Sequence, residues 1–199
     1  MNEGIKELMN EGMKDMKLLI IGGGAIADCN HIPAAKKMLG AENIVLAEPN
    51  EAQANKLKEK HGLLHVVSDY HEVLNDVDAC IICTPLHVHN AILNDCIAAN
   101  KHVVCVKPLS PSSQETAKIL KVATENLVID MCHSYRFFPN HKEVHQKIKD
   151  GFFGNDVQIT IHEGGSGGWP TVSGYCFRKE MVPGGVLYDN GIHTMDFAL

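Results

Sequence analysis

The chain has no long apolar run and no concentration of basic residues. No apolar stretch approaches the roughly 18 to 20 residues that a membrane-spanning helix needs, so we expect no membrane span. Lysine and arginine together number 18 against 24 aspartates and glutamates, which gives a formal net charge of −6. Because binding to a phosphate backbone depends on clustered positive charge, this balance disfavours a nucleic-acid partner.

Disulfide, metal and secretion signals are also weak. The seven cysteines are an odd number, and most lie inside apolar runs, which favours reduced thiols. Cys80 and Cys83 have C-x-x-C spacing, but positions three apart on a strand point to opposite faces, so we predict core thiols. Residues 1–17 are too acidic and too weakly apolar for a signal peptide. We therefore predict a cytoplasmic protein without a metal site.

Short apolar runs instead alternate with helical segments along most of the chain. Asn50 caps one helical segment that ends at Gly62, and Ser112 with Glu115 forms a capping box before another. Alternation of this kind predicts an α/β fold whose N-terminal part is a doubly wound parallel sheet of the Rossmann type. Six runs are apolar on both faces, as buried parallel strands are: residues 17–21, 43–47, 63–67, 79–83, 102–106 and 127–131.

We divide the chain into a frayed extension (residues 1–16), a nucleotide-binding domain (17–137) and the start of a second α/β domain (138–199). In the last part, Pro139 opens a polar helix that ends near Gly151, and residues 157–163 predict a strand. Helical spacing over residues 186–199 continues to the last residue, with Tyr188, Ile192, Met195 and Leu199 on one face. The second domain is therefore expected to be incomplete, because about 60 residues cannot form a several-stranded sheet of the mean size.

The first strand leads into a G-x-G-x-x-A turn and a helix. Gly22 allows the tight turn, Gly24 lets a pyrophosphate approach the backbone, and Ala27 permits close packing of helix on strand. Glu48 ends the next strand, where a carboxylate binds a ribose diol and repels a 2′-phosphate, so NAD is preferred to NADP. The alternative is a glycine-rich turn that binds nothing. The predicted cofactor contacts here are Gly22, Gly24, Ala25, Ile26 and Glu48.

Two further blocks follow the glycine turn: residues 77–89 with Thr84-Pro85 and residues 100–109 with Lys107-Pro108. Both closely resemble the glucose-fructose oxidoreductase / inositol dehydrogenase family (Gfo/Idh/MocA). The likeness continues through Tyr135-Arg136-Phe137 and the Gly-rich turn with D-x-x-x-H at residues 183–193. The resemblance implies a Rossmann domain joined to an open-sheet domain that commonly forms the subunit interface. It therefore implies a homo-oligomer, dimer or tetramer, for the full-length protein.

The resemblance also implies an NAD(P)-dependent oxidoreductase that transfers a hydride between the nicotinamide and a secondary alcohol of a sugar, cyclitol or related polyol. It assigns the catalytic positions to Lys107, Asp189 and His193. Asp189 and His193 are four residues apart and share a helix face, while Lys107 follows a strand at the edge where α/β sheets bind ligands. We predict His193 as general base, Lys107 as the cation beside the substrate oxygen, and Asp189 as a partner for a neighbouring hydroxyl.

The same resemblance places Thr84, Pro85 and His89, together with Lys107, beside the nicotinamide. Candidate substrate contacts are Tyr135, Arg136 and Trp169, the last with Tyr175 as a possible stacking partner. The segment with His141 and His145 around Glu143 is interpreted as a solvated helix face and not a zinc motif.

One departure from the family matters for the choice of function. Val106 stands where the family usually has the glutamate of Glu-Lys-Pro. This change and the short second domain favour one alternative, a non-catalytic nucleotide-binding regulatory protein. Another alternative is an NAD-dependent glycosidase of the same family, which cleaves glycosidic bonds with no net redox change.

Overall fold

A six-stranded parallel sheet forms the centre of the molecule. The computed structural model describes residues 13, 15–123, 126–165, 174–182 and 184–198. The strands are β1 (Leu18–Ile21), β2 (Ile44–Ala47), β3 (His65–Val67), β4 (Ala79–Ile82), β5 (His102–Cys105) and β6 (Ile129–Met131). Their spatial order is β3-β2-β1-β4-β5-β6, and every neighbouring pair is parallel. The predicted doubly wound fold and its six strands are confirmed.

Helices connect the strands and extend beyond the sheet. They are α1 (Ile32–Leu39), α2 (Glu51–His61), α3 (His89–Ala98), α4 (Ser113–Val122), α5 (Pro139–Lys149) and α6 (Ile192–Ala198). A π-helical turn, Ala27–His31, runs directly into α1, and a second one, Leu187–Gly191, runs into α6. No helix in the described ranges is both long enough and apolar enough to cross a membrane.

The strand order places a crevice beside β1. β1 lies between β2 and β4, with Ile21 opposite Ala47 on one side and Ile82 on the other. The chain therefore leaves three adjacent strands at one edge of the sheet, and the connections from these strands diverge to both faces. Ligands of open α/β sheets bind at such a point, outside the carboxyl ends of the strands.

The core consists of two apolar layers, one on each face of the sheet. Alternate residues of β1 serve both layers, with Leu19 in one and Ile20 in the other, and both are fully buried. This explains why the strands are apolar on both faces. Cys80 and Cys83 are buried in different layers, as predicted for core thiols. Cys96 and Cys105 are also buried, whereas Cys29 is exposed.

Side-chain and glycine caps fix the helix ends that the sequence predicted. The side chain of Asn50 accepts a hydrogen bond from the Gln53 N–H at 3.0 Å, and Gly62 ends α2 with φ of 63°. The Ser112 hydroxyl accepts a hydrogen bond from the Glu115 N–H at 3.2 Å, and α4 begins at the next residue, Ser113.

The strand predicted over residues 157–163 is wrong. This segment is exposed and pairs with no strand in the part of the chain that the structure describes. Its alternating Val157, Ile159 and Ile161 are 41%, 42% and 38% exposed, so the alternation does not bury one face. A strand needs a partner for its backbone groups, and a local alternation of residue types cannot supply one.

The remaining predictions for the later part of the chain have different outcomes. The polar helix that Pro139 opens is confirmed as α5. Leu199 and residues 166–173, which include Trp169, lie outside the described residues. The proposed domain boundary near residue 137 stays a prediction.

Candidate functional site

A cavity of about 470 Å³ opens at the carboxyl ends of β1, β2 and β4. Its walls come from the connections that follow these strands, where the strand order predicts a ligand. Seven of the predicted cofactor residues lie on these walls: Gly22, Gly24, Ala25, Ile26, Glu48, Thr84 and Pro85.

The glycine turn has the geometry that close approach of a diphosphate requires. Gly22 has φ of 96°, and a Cβ there would lie 3.1 Å from the backbone of Cys83. At Gly24, by contrast, no heavy atom of the described residues, apart from its chain neighbours and its own helical turn, lies within 4 Å of the position that a Cβ would take. The turn is therefore packed against the protein at its first glycine and open at its third. The residues present fit a dinucleotide, whose diphosphate could approach the backbone at Gly24.

Glu48 ties the end of β2 to this turn. One carboxylate oxygen accepts the Gly23 N–H at 2.7 Å, and the other accepts the Asn50 N–H at 2.9 Å. Gln53 donates from Nε2 to the Gly23 carbonyl oxygen at 2.6 Å. A carboxylate offers about four acceptor positions, so Glu48 keeps capacity for a ribose diol while it orients the turn.

Sequence reasoning missed several residues of the cavity wall. Gln53 belongs to the cavity although it is not in the glycine motif, and Tyr175, which the sequence suggested only as a stacking partner of Trp169, lines the same cavity. Tyr175 is half-buried, and burial together with the nearby Asp189 charge raises its pKa to about 12. Gln53 follows the Asn50 cap by three residues on the same turn, a local signal that could have found it. The remaining missed wall residues are Gly23, Pro49, Asn50, Cys83, His87, Val88 and Val106.

Lys107 and Asp189 meet although they are 82 residues apart. The Lys107 ammonium donates to Asp189 Oδ1 at 3.0 Å and also to the Asp189 backbone carbonyl. The two side chains are 19% and 27% exposed, so the ion pair is largely withdrawn from water. Lys107 does not line the cavity itself but follows Val106, which does.

His193 lies between two aromatic rings close to this ion pair. Its imidazole stacks on Tyr135 with ring centroids 4.7 Å apart and lies edge-on to His133 at 5.9 Å. Burial lowers the pKa of His193, and the positive charges of Lys107 and His133 lower it further. Its Nδ1 is buried and has no hydrogen-bond partner among the described residues. The arrangement keeps the ring neutral near pH 7 and able to accept a proton.

Glu163 is an unpredicted carboxylate beside His193. It accepts hydrogen bonds from the Tyr135 hydroxyl and from the Thr194 hydroxyl. These two bonds lower the pKa of Glu163, and the Tyr135 pKa rises to about 12, chiefly because of the same carboxylate. Glu163 lies in the segment predicted as a strand, so its role at the site had no signal in the sequence.

Arg136 is paired with a carboxylate in the structure. Its guanidinium donates from Nε and Nη2 to the two carboxylate oxygens of Asp196, at 2.8 and 2.5 Å. The side chain is 65% exposed and borders a different cavity, next to His141 and His145. His141 is half-buried against Phe197 at 4.4 Å between ring centroids. In the described ranges, no group of three or more His, Cys, Asp or Glu could hold a metal.

His89 lies behind the cavity wall and not on it. The side chain is 1% exposed, with Nε2 2.8 Å from the Thr84 carbonyl oxygen and Nδ1 2.9 Å from the Pro108 carbonyl oxygen. The predicted direct contact with the nicotinamide therefore does not match this placement, because the ring is enclosed by the protein.

Comparison with known proteins identifies relatives along nearly the whole chain. Residues 16–133 match the Gfo/Idh/MocA model, described as an oxidoreductase family with an NAD-binding Rossmann fold. The chain is 33% identical over 193 residues to 4-carboxy-2-hydroxymuconate-6-semialdehyde dehydrogenase of Sphingobium sp., covering 91% of this chain and 57% of that protein. It is 26% identical to myo-inositol 2-dehydrogenase of Thermotoga maritima, covering 92% and 54%.

A solved structure shares the same fold. Levoglucosan dehydrogenase in complex with NADH and levoglucosan matches with a TM-score of 0.73 at 24% identity, covering 92% of this chain and 52% of that chain. The chain thus spans about half the length of the relatives it matches.

Proposed function

This chain belongs to the Gfo/Idh/MocA family of oxidoreductases with an NAD-binding Rossmann fold, and from that premise we propose that it is part of an NAD-dependent dehydrogenase. The proposed substrate is a secondary alcohol of a sugar, cyclitol or related polyol. Relatives named for myo-inositol and levoglucosan support this class. The observation that carries the proposal is the Lys107–Asp189 ion pair, which directly follows Val106 of the cavity wall and has His193 within its electrostatic reach.

Three side chains divide the work on the substrate. A bound NAD supplies the hydride acceptor. His193 accepts the hydroxyl proton, which its lowered pKa permits because the ring is neutral near pH 7. The Lys107 ammonium stabilises negative charge on the substrate oxygen. Asp189 holds that ammonium in place and accepts a hydrogen bond from a neighbouring hydroxyl.

We expect His193→Ala to lower turnover by about 10²- to 10⁴-fold, because the general base is lost. Affinity for NADH, measured by fluorescence titration, should stay within about twofold, since His193 is outside the glycine-turn cavity. In the parent protein, kcat/KM should rise with pH through a pKa below 6.5. His145→Ala, at an exposed position of α5, serves as the control.

The outcome also separates the alternatives. Loss of NADH binding in His193→Ala would remove His193 from the proposed chemistry. Retention of NAD with no turnover on a broad polyol panel, even in the full-length protein, would favour the regulatory protein, for which the apolar Val106 on the cavity wall is the supporting feature. Cleavage of glycosides without added cofactor would favour the glycosidase.

The choice of NAD over NADP depends on the charge of Glu48. Glu48→Gln removes the charge that repels a 2′-phosphate but keeps an oxygen that can accept the Gly23 N–H. We expect the preference for NADH over NADPH to fall by about tenfold, the scale of one charge-assisted hydrogen bond. Gln53→Glu, which adds a carboxylate on the same wall, should strengthen that preference. An unchanged ratio of the two dissociation constants in Glu48→Gln would contradict the assignment.

The oligomeric state and the cellular compartment expected from the sequence stay predictions.

A further inference from the structure

His89 is a fully buried polar side chain at the first residue of α3. Its two ring nitrogens face two backbone carbonyl oxygens, those of Thr84 at 2.8 Å and Pro108 at 2.9 Å. Both carbonyls belong to the connections that leave the sheet at the cofactor edge. An apolar side chain would fill the same volume but would offer neither carbonyl a donor.

The ring lies beyond the end of a strand pair. β4 and β5 are joined as far as Ile82 and Cys105, and one further backbone bond runs from the Val106 N–H to the Ile82 carbonyl at 3.0 Å. Beyond that hydrogen bond, the connections that follow β4 and β5 contact different parts of the site. Thr84 lines the cofactor cavity, and Lys107, next to Pro108, holds Asp189.

We propose that His89 is a positioning residue that spans the gap between these two connections. It fixes the Lys107 ammonium relative to the Thr84–Pro85 wall, and so relative to a nicotinamide ring bound against that wall. The inference rests on the proposed function for its consequence, because a fixed distance matters only where cofactor and substrate groups must meet. The contacts of His89 with the Thr84 and Pro108 carbonyl oxygens are part of the fold and do not depend on the proposed function.

An imidazole is well suited to this bridge. Its two nitrogens lie on opposite sides of a rigid ring, so they reach carbonyls on two separate segments. A neutral ring carries one N–H, so it donates a hydrogen bond to one of the two carbonyls and packs its other edge against the second connection, where Nδ1 also lies 3.5 Å from Cys105 Sγ. Glutamine has its donor at one end only and can therefore replace one of the two contacts.

The test compares two changes at His89 with one control. His89→Leu removes both contacts, and His89→Gln retains one. His61→Leu is the control, because His61 is also buried, at 8% exposure, and its ring pairs with Asp28 at 2.7 Å outside the cavity wall. NADH titration gives the affinity, and the NADH emission maximum reports the surroundings of the nicotinamide.

We expect His89→Leu to weaken NADH binding by about tenfold and to shift the emission maximum towards that of free NADH. His89→Gln should recover part of both. His61→Leu should lower the melting temperature but leave affinity and emission close to the parent values. Parent-like affinity and emission in His89→Leu, or equal changes in His61→Leu, would overturn the inference.

Hydrogen exchange tests the bridge when no cofactor is bound. In His89→Leu the amides of residues 86–88 and of Leu109 should exchange faster than in His61→Leu, with exchange elsewhere in the sheet alike in the two variants. If the parent chain binds no NADH, the proposed function is contradicted, but the positioning role of His89 is not. Equal exchange in these segments in the two variants sinks the positioning role.

Discussion

The sheet, within residues 18–131, and the described segments that follow it, residues 134–165, 174–182 and 184–198, are stabilised in different ways. The sheet has an apolar layer on each face, whereas in the described residues beyond 133 Val182 is the single buried apolar side chain. The later segments contact the sheet side instead through polar groups, such as Asp189 with Lys107 and the Tyr188 hydroxyl, which donates to the Pro111 carbonyl oxygen at 3.3 Å. The Arg136–Asp196 pair joins two of the later segments to each other. The proposed cofactor side of the site is thus fixed by packing, and the proposed substrate side by directed bonds that depend on charge.

The largest difference in unfolding free energy between the two regions is expected for substitutions at two glycines with positive φ, one in each region. Gly22→Ala combines backbone strain at φ of 96° with a Cβ 3.1 Å from the backbone of Cys83, and we expect a loss of about 3 kcal/mol in unfolding free energy. Gly185 has φ of 57°, but among the described residues nothing beyond its chain neighbours and its own helix backbone lies within 4 Å of a Cβ there, so Gly185→Ala should lose about 1 kcal/mol. Urea unfolding measures both, and equal losses would contradict the role of packing at the turn.

A matched pair of valines tests the packing directly. Val103 on β5 is 1% exposed within an apolar layer, and Val182 is 5% exposed without one. Val103→Ala should lower the unfolding free energy by about 2.5 kcal/mol, because the cavity it leaves cannot close easily. Val182→Ala should lose about 1 kcal/mol, the transfer value of the removed groups with easier relaxation. If Val182→Ala costs as much as Val103→Ala, the contrast between the two regions fails.

The smallest effect is expected at the Arg136–Asp196 pair. Arg136 lowers the pKa of Asp196, so this pair contributes stability above the ordinary aspartate value of 3.8 and loses it as pH falls through the lower folded pKa. Because Arg136 is 65% exposed, Arg136→Gln should cost only about 0.5 kcal/mol at pH 7 and nothing once Asp196 is protonated.

Unfolding measured against pH, with Lys37→Gln at an exposed position as control, shows whether this small contribution disappears in acid. A loss that persists unchanged at low pH would mean that Arg136 acts through packing of its methylene groups and not through charge.

The difference between the packed sheet and the later segments also explains which features could be predicted from the sequence. Strands β1 to β6 were predictable because residues such as Ile20 and Leu46 are buried by the nearest elements in the chain, which leaves a continuous apolar pattern. The turn at Gly22 and Gly24 was predictable because its chemistry is a backbone property that follows from residue type.

The contacts made by the later segments were harder to predict from the sequence. The positions of Lys107 and Asp189 came from a family resemblance, because no spacing rule connects residues 82 apart. Glu163 and the partner of Arg136 depend on which distant segment packs nearby, and local periodicity carries no such information. The failed strand at residues 157–163 has the same cause.

The buried cysteines offer a way to follow how the molecule opens. Burial raises the pKa of the Cys83 and Cys105 thiols, and alkylating reagents attack the thiolate. These groups should therefore stay unmodified until their layer separates, while exposed Cys29 reacts first. Mass spectrometry of alkylated peptides against time would then give the order in which the two faces become accessible to solvent, with no label added to the chain.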